Sequence, residues 1–361
     1  MAKRYLAMLA VIALAAVLGA CGGSDSSSDG GSGASSPSAG KVTIDLGGGQ
    51  TVDVESKKPK IAFFTAGSSN DILKVVNATA QDVASRLGVE LQVFDPGFDA
   101  AKQFNQIQNE LQRKRYDAFI VTPLNGDQQC QLLTRQAPDA GIVVSTMIVP
   151  ICGRTYNRGE DIWAPGTLNF IEGHDLQDYQ DGWMRQVDGM LRGEHHVGVL
   201  LGPPLIGLSR TFKKALDEMA KRRPDLHIDA QLETDYTTPD GLAKTQTMLQ
   251  AHPEIDTILC VYSDLARGAI KAIQAAGKKG QIMVFDEGGS KADVAQIKSG
   301  DLTATSEFNP IADSTVAIQE VVNAFAGRQG ERYLGYLNDQ GSADAPFMVT
   351  KDNVDSFTPK Y

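Results

Sequence analysis

Few residues in this chain stand in spacings that support covalent chemistry. Ser209 lies in Gly207-Leu208-Ser209-Arg210, which begins like the sharp strand-to-helix turn that presents a nucleophilic serine but lacks its closing glycine. No GxSxG, no phosphate-cradling P-loop and no HExxH occurs in the 361 residues, and no GxGxxG follows the first strand. The His195-His196 doublet and the cysteine pairs lack the spacing by which a local segment offers ligands to a metal. The chain therefore reads as a non-enzyme with no metal and no cofactor. Its cysteines point to structure instead. Cys260 lies inside the apolar run Ile258 to Val261, the setting of a buried, inert thiol. Cys130 begins a helix and Cys152 follows a strand end, both on the loop side of one sheet, so a disulfide between them is expected in an oxidising compartment.

The elements that would position a site are clearest from Lys60 to Asp95. The apolar run Ile61 to Phe64 is too short for a helix and suits a buried parallel strand. A polar loop, Thr65 to Asp71, follows, and then Ile72, Val76, Ala80, Val83 and Leu87 recur with the period of one helix face. Gly88 ends the helix, and Val89, Leu91 and Val93 resume in strand rhythm. Such a crossover is right-handed and leaves its first loop at the carboxyl edge of the sheet, where open α/β sheets bind ligands. The unit repeats to about residue 146, breaks into the long Pro- and Gly-containing loop 147–166 with Trp163, and restarts near residue 168. The expected fold is therefore α/β, two doubly wound parallel-sheet lobes around a cleft, a geometry suited to hinge closure on a small molecule.

Charge and the amino terminus set the address. Thirty-four basic residues against 44 acidic ones leave a formal charge of −10, which argues against nucleic acid as a partner. Lys3 and Arg4 precede an apolar stretch, Leu6 to Leu18, too short to span a bilayer comfortably, so residues 1–20 read as a signal peptide. Leu18-Gly19-Ala20-Cys21 resembles a bacterial lipobox, which implies lipidation of Cys21. Residues 21–58 then read as a Gly/Ser tether followed by a short hairpin.

Taken together, KIAFFTAGSSND, LGVELQVFDPGFDAAKQFNQIQNELQRKRYDAFIVTP, HPEIDTILCVYSDLARGAIKAIQAAG, QIMVFDEGG, KSGDLTAT and VTKDNVD are similar in order and spacing to the type I periplasmic binding proteins. The branch resembled is that of the ribose-binding proteins of ABC sugar importers. The resemblance implies a three-strand hinge, with lobes at 59–172 plus 308–336 and 173–307 plus 337–361. It implies a monomer that hands a small molecule to a membrane permease; the alternative is a ligand-sensing binding protein that signals to a membrane receptor or histidine kinase.

Site residues carry over singly. Asn70 stands where the family has an Asn, beside Ser68 and Ser69, and can either bind ligand or cap its helix. Ile148 and Val149, just past Thr146, replace the family's Asp-Arg pair, which argues against ribose. Arg210 lies near a binding arginine, and Ser263 matches a contact position whose neighbour Asp264 would cap the helix. Asp286, followed by Glu287, matches the carboxylate that accepts two sugar hydroxyls. Phe308 replaces a hinge Gln and can offer a ring face, while Trp163 can either cover the ligand or pack on the lobe surface.

Overall fold

The computed structural model describes residues 40–361 apart from 172, 205, 343 and 344. The stretch read as a signal peptide, Cys21 and the expected tether as far as residue 39 lie outside the described residues.

The described chain opens with the antiparallel hairpin β1 (Lys41–Gly47) and β2 (Gln50–Glu55). β3 (Lys60–Phe64) follows, and Ile61 to Phe64 have no exposed surface, as expected of a parallel strand covered on both faces. The chain continues through α1 (Asp71–Leu87), β4 (Glu90–Phe94), α2 (Ala100–Arg113), β5 (Ala118–Val121) and α3 (Gly126–Gln131). α3 runs through a π turn, Leu132–Gln136, into α4 (Ala137–Asp139), then β6 (Val143–Met147) and β7 (Phe170–Ile171). Asn70 caps α1, Asp99 caps α2, and Gly88 ends α1 in the left-handed region at φ 65°.

The second series is α5 (Gln177–Met190), β8 (His195–Leu201), α6 (Gly207–Arg222), β9 (Leu226–Glu233), α7 (Thr238–Ala251), β10 (Thr257–Cys260) and α8 (Ser263–Ala275). It closes with β11 (Met283–Gly288), α9 (Lys291–Ser299) and β12 (Ala304–Glu307). α10 (Pro310–Phe325) packs on α1, and β13 (Tyr333–Leu334), the small pair β14 (Gly341–Ser342) and β15 (Ala345–Pro346), and β16 (Met348–Thr350) complete the chain.

Two six-stranded sheets result, in the orders β13-β7-β6-β5-β3-β4 and β16-β12-β11-β10-β8-β9. Every pairing within them is parallel except β12 with β16. The order reverses at β3 in the first and at β8 in the second, which are the places where doubly wound sheets open a crevice. The chain passes between sheets after β7, after β12 and after β13.

β11 runs on to Gly288, past the apolar run that marks it in the sequence. Asp286 and Glu287 are thus neighbours inside a strand and point to opposite faces. Cys130 and Cys152 form a disulfide that ties α3 to the chain leaving β6, and Cys260 is a buried free thiol.

α7 and α8 cross in close contact at glycines. A Cβ on Gly268 would lie 2.4 Å from the Thr238 carbonyl oxygen and 2.5 Å from the Leu242 nitrogen. Backbone cannot yield as a flexible side chain does, so Gly268→Ala must push the helices apart. The expected cost is about 1–3 kcal/mol, read as a lowered urea midpoint with an unchanged m-value.

Candidate functional site

The residues that meet between the two sheets share one origin: nearly all sit just past the carboxyl end of a strand. Ala66 and Asn70 follow β3, Phe98 follows β4, and Thr122 to Leu124 follow β5. Ile148 and Val149 follow β6, while His174 and Asp175 follow β7. From the second sheet come Ile206 and Leu208 after β8, Tyr236 after β9, Tyr262 after β10 and Phe308 after β12. They enclose a cavity of about 60 Å³. Direct contacts cross it, Phe98 with Tyr236 and Asn70 with Tyr262, so the two lobes meet in this structure.

The wall is mostly apolar and aromatic. Phe98 and Tyr236 meet across the cleft with ring centroids 5.7 Å apart, and Phe308 stands edge-on to His174 at 4.3 Å. Gly202 makes room for the Tyr236 ring, which a Cβ there would meet at 1.9 Å. Few polar atoms reach this surface. Asn70 Oδ1 accepts the Leu73 backbone N–H and the Tyr262 hydroxyl, both at 2.9 Å. Thr122 Oγ1 and His174 Nδ1 are buried without a hydrogen-bond partner. Burial holds the His174 imidazole down at about 3 and pushes the Asp175 carboxyl up to about 7, the latter opposed by the Leu208 N–H and the charge of Arg210. Their nearest approach, 3.9 Å, is too long for a hydrogen bond, so the two sit side by side without pairing.

Polar bridges flank the cavity. On one side Asp71 meets Arg267 at 2.9 Å and its backbone N–H donates to Asp264. On the other, Arg210 donates to Thr155 Oγ1 at 3.1 Å and faces Asp127 at 3.8 Å.

Of the residues expected from the sequence, Asn70 and Phe308 line the cavity. The others lie elsewhere, each for a physical reason. Ser68 and Ser69 are exposed, Ser68 being turned outward to bond the Asp95 carboxylate. Thr146 is still inside its sheet and donates to the Asn169 carbonyl. Arg210 is spent on its bridge to Asp127 and Thr155. Trp163 packs on Gly47 of the hairpin, under the Arg332 guanidinium 5.0 Å away, with its indole N–H on the Thr167 carbonyl.

The alternation of β11 displaces the two carboxylates. Glu287 faces α5, where Gln180 donates to it at 3.1 Å. Asp286 faces Asp293, Asp264 and Arg267, fully buried, with the Thr305 hydroxyl beside it. Burial, reinforced by Asp293, pushes its carboxyl well above the usual range. Ser263 is buried against Gly288 beside the same group. Asp264 does not cap α8, whose cap position is Tyr262; it pairs instead with Arg267 at 2.7 Å. What the sequence reading missed — His174, Asp175, Tyr236 and Tyr262 among others — was signalled only by position after a strand end.

Two parallel-sheet lobes closing such a wall define a two-lobed solute receptor. Residues 61–329 match the periplasmic binding protein domain, and the chain belongs to that family, which works outside the cytoplasm. A ribose import binding protein of Haemophilus influenzae is 30% identical over 269 residues, covering 71% of this chain and 82% of that one. Its Bacillus subtilis counterpart is 22% identical over 249 residues, covering 69% and 76%. Among solved structures, an ABC transporter solute binding protein from Bacillus halodurans with bound myo-inositol has a TM-score of 0.71 at 19% identity, covering 84% of this chain and 98% of that one.

Two outcomes follow from the wall chemistry. Tyr262→Phe removes the hydroxyl donated across the cleft, worth about 1 kcal/mol or roughly fivefold in the closed population. The radius of gyration in small-angle X-ray scattering should rise, and an unchanged value would remove this bond from the closure. The second concerns Asp175, whose carboxyl is raised by folding from 3.8 to about 7, so the folded state holds its proton more tightly than the unfolded one. Protonation thus stabilises the fold at acid pH, and that stability is lost as pH rises through the window between those values. Relative to Asp175→Asn, the wild type should lose up to about 1.4 kcal/mol per pH unit there and run parallel to the variant below it, as read by urea unfolding at several pH values.

Proposed function

We propose that this protein captures an uncharged, sugar-like small molecule between its lobes outside the cytoplasm and delivers it to an ABC permease. The observation that carries this reading is the cavity wall, drawn from strand-end loops of both sheets, so that one ligand would touch both lobes at once. The ligand class is argued from the same wall. Ile148 and Val149 bring no charge, His174 is held neutral by burial, and burial raises the Asp175 carboxyl to about 7. The rings of Phe98, Tyr236, Tyr262 and Phe308 suit the apolar face of a sugar or cyclitol. Thr122 Oγ1 and His174 Nδ1 are left to meet its hydroxyls. Relatives named as ribose import binding proteins, and a similar fold crystallised with myo-inositol, support that class.

On this reading the lobes are 59–172 plus 308–336 and 173–307 plus 337–361, turning about the crossings near 172, 307 and 336. The protein works as a monomer without catalysis, held to the membrane by a lipid on Cys21 and a tether long enough to let it turn.

A thermal-shift panel of pentoses, hexoses, deoxy sugars, cyclitols, purines and amino acids tests the proposal. A ligand present at 100 times its Kd should add about 2.7 kcal/mol of stability, and Phe308→Ala should weaken the hit. A response only to charged amino acids, or to nothing in the panel, would overturn the ligand class. Unchanged affinity in Phe308→Ala would remove the cavity as its site.

A further inference from the structure

Four of the five histidines of the chain gather at the amino-terminal edge of the second sheet, the end opposite the cleft loops. His195 and His196 open β8, His227 is the second residue of β9, and His252 closes α7 on the way into β10. The parallel register sets His196 beside His227, and their rings stack at 5.0 Å. Carboxylates stand among them. His196 Nδ1 lies 2.9 Å from Asp229, and His252 Nδ1 lies 3.1 Å from Glu254. The donor atoms of His196, Asp229 and Glu254 all fall within 4.8 Å of one another.

Around a tetrahedral ion with bonds of about 2.0–2.1 Å, donors sit roughly 3.4 Å apart. Small side-chain rotations close that gap here. His196 and Asp229 are fixed on adjacent strands, and Glu254 sits in the turn that leads to the strand on the other side of β8. His196 and Asp229 are half-buried and Glu254 is exposed, so an ion can reach the group without unfolding anything. One imidazole with two carboxylates is a borderline donor set that suits zinc, whereas magnesium and calcium prefer oxygen alone. Local spacing misses this arrangement because its three donors come from three segments that only the sheet brings together.

We propose that His196, Asp229 and Glu254 bind a divalent transition-metal ion of the zinc class, with the fourth position taken by water or by His252 turning inward. Held there, the ion would pin the starts of β8 and β9 to the turn before β10, the end of the lobe farthest from the cleft. The simpler reading is a protonated His196 paired with Asp229 and no affinity for metal, and the two make opposite forecasts.

Isothermal titration of chelator-treated full-length protein with zinc chloride in a non-coordinating buffer at pH 7.5, with magnesium chloride in parallel, separates them. The expected result is one saturable zinc equivalent with a zinc-dependent rise in Tm, and neither with magnesium. Glu254→Gln, a change on the surface that leaves the metal-free Tm in place, and His196→Gln should each weaken zinc binding at least tenfold. Absence of zinc binding, or wild-type affinity in both variants, would overturn the assignment.

Discussion

One oxygen atom links the local structure of this protein to its closure. Asn70 Oδ1 satisfies the first turn of α1 through Leu73 and at the same time accepts the Tyr262 hydroxyl from the other lobe. The start of a helix and the meeting of the lobes therefore share an acceptor, and the neighbouring Asp71 extends the contact to Asp264 and Arg267. Arg210 makes the matching bridge on the far side. Ion pairs with an exposed member contribute about 1 kcal/mol or less, so these bridges align the lobes more than they hold them. The apolar wall supplies the larger attraction, and a hinge equilibrium of a few kcal/mol is what a ligand can shift.

The architecture was legible in the sequence because each element carries its own mark. Apolar runs such as Ile61 to Phe64 are too short for helices, Asp99 and Asn70 sit where caps belong, and Gly88 stops α1. The site was far less legible. Asn70 and Phe308 line the cavity, whereas Asp286, expected there from its match to the family, is turned away from it as the strand continues to Gly288. Periodicity identifies a strand and says little about the residue at which it stops, and one residue reverses the face. Of the two readings open for Trp163, the structure has the ring packed on the protein surface: the long loop that carries it folds back over the β1-β2 hairpin, a contact between distant segments that no local pattern announces.

The second lobe buries acid at unusual density. Arg267 meets Asp264 at 2.7 Å and Asp293 at 3.7 Å, with Asp286 and the Tyr361 ring in the same group. One guanidinium cannot neutralise them all; burial and the Asp293 charge raise the Asp286 carboxyl, and burial and the Asp264 charge raise that of Asp293. This interior lies behind Ser263 at the start of α8, the helix that carries Asp264 and Arg267 and whose cap position is Tyr262 of the wall.

Three wall residues, Phe98, Ile148 and Tyr236, have left-handed backbones at φ 62°, 67° and 64°. For a residue with a Cβ, each costs about 1–2 kcal/mol, and for branched Ile148 the conformation is especially unfavourable. Glycine would relax all three, yet would delete two rings and a branched side chain from the surface a ligand meets. Tyr236 and Ile148 are buried, and deleting a buried side chain of that size costs about 2–5 kcal/mol, so packing outweighs the strain and holds these backbones where they are.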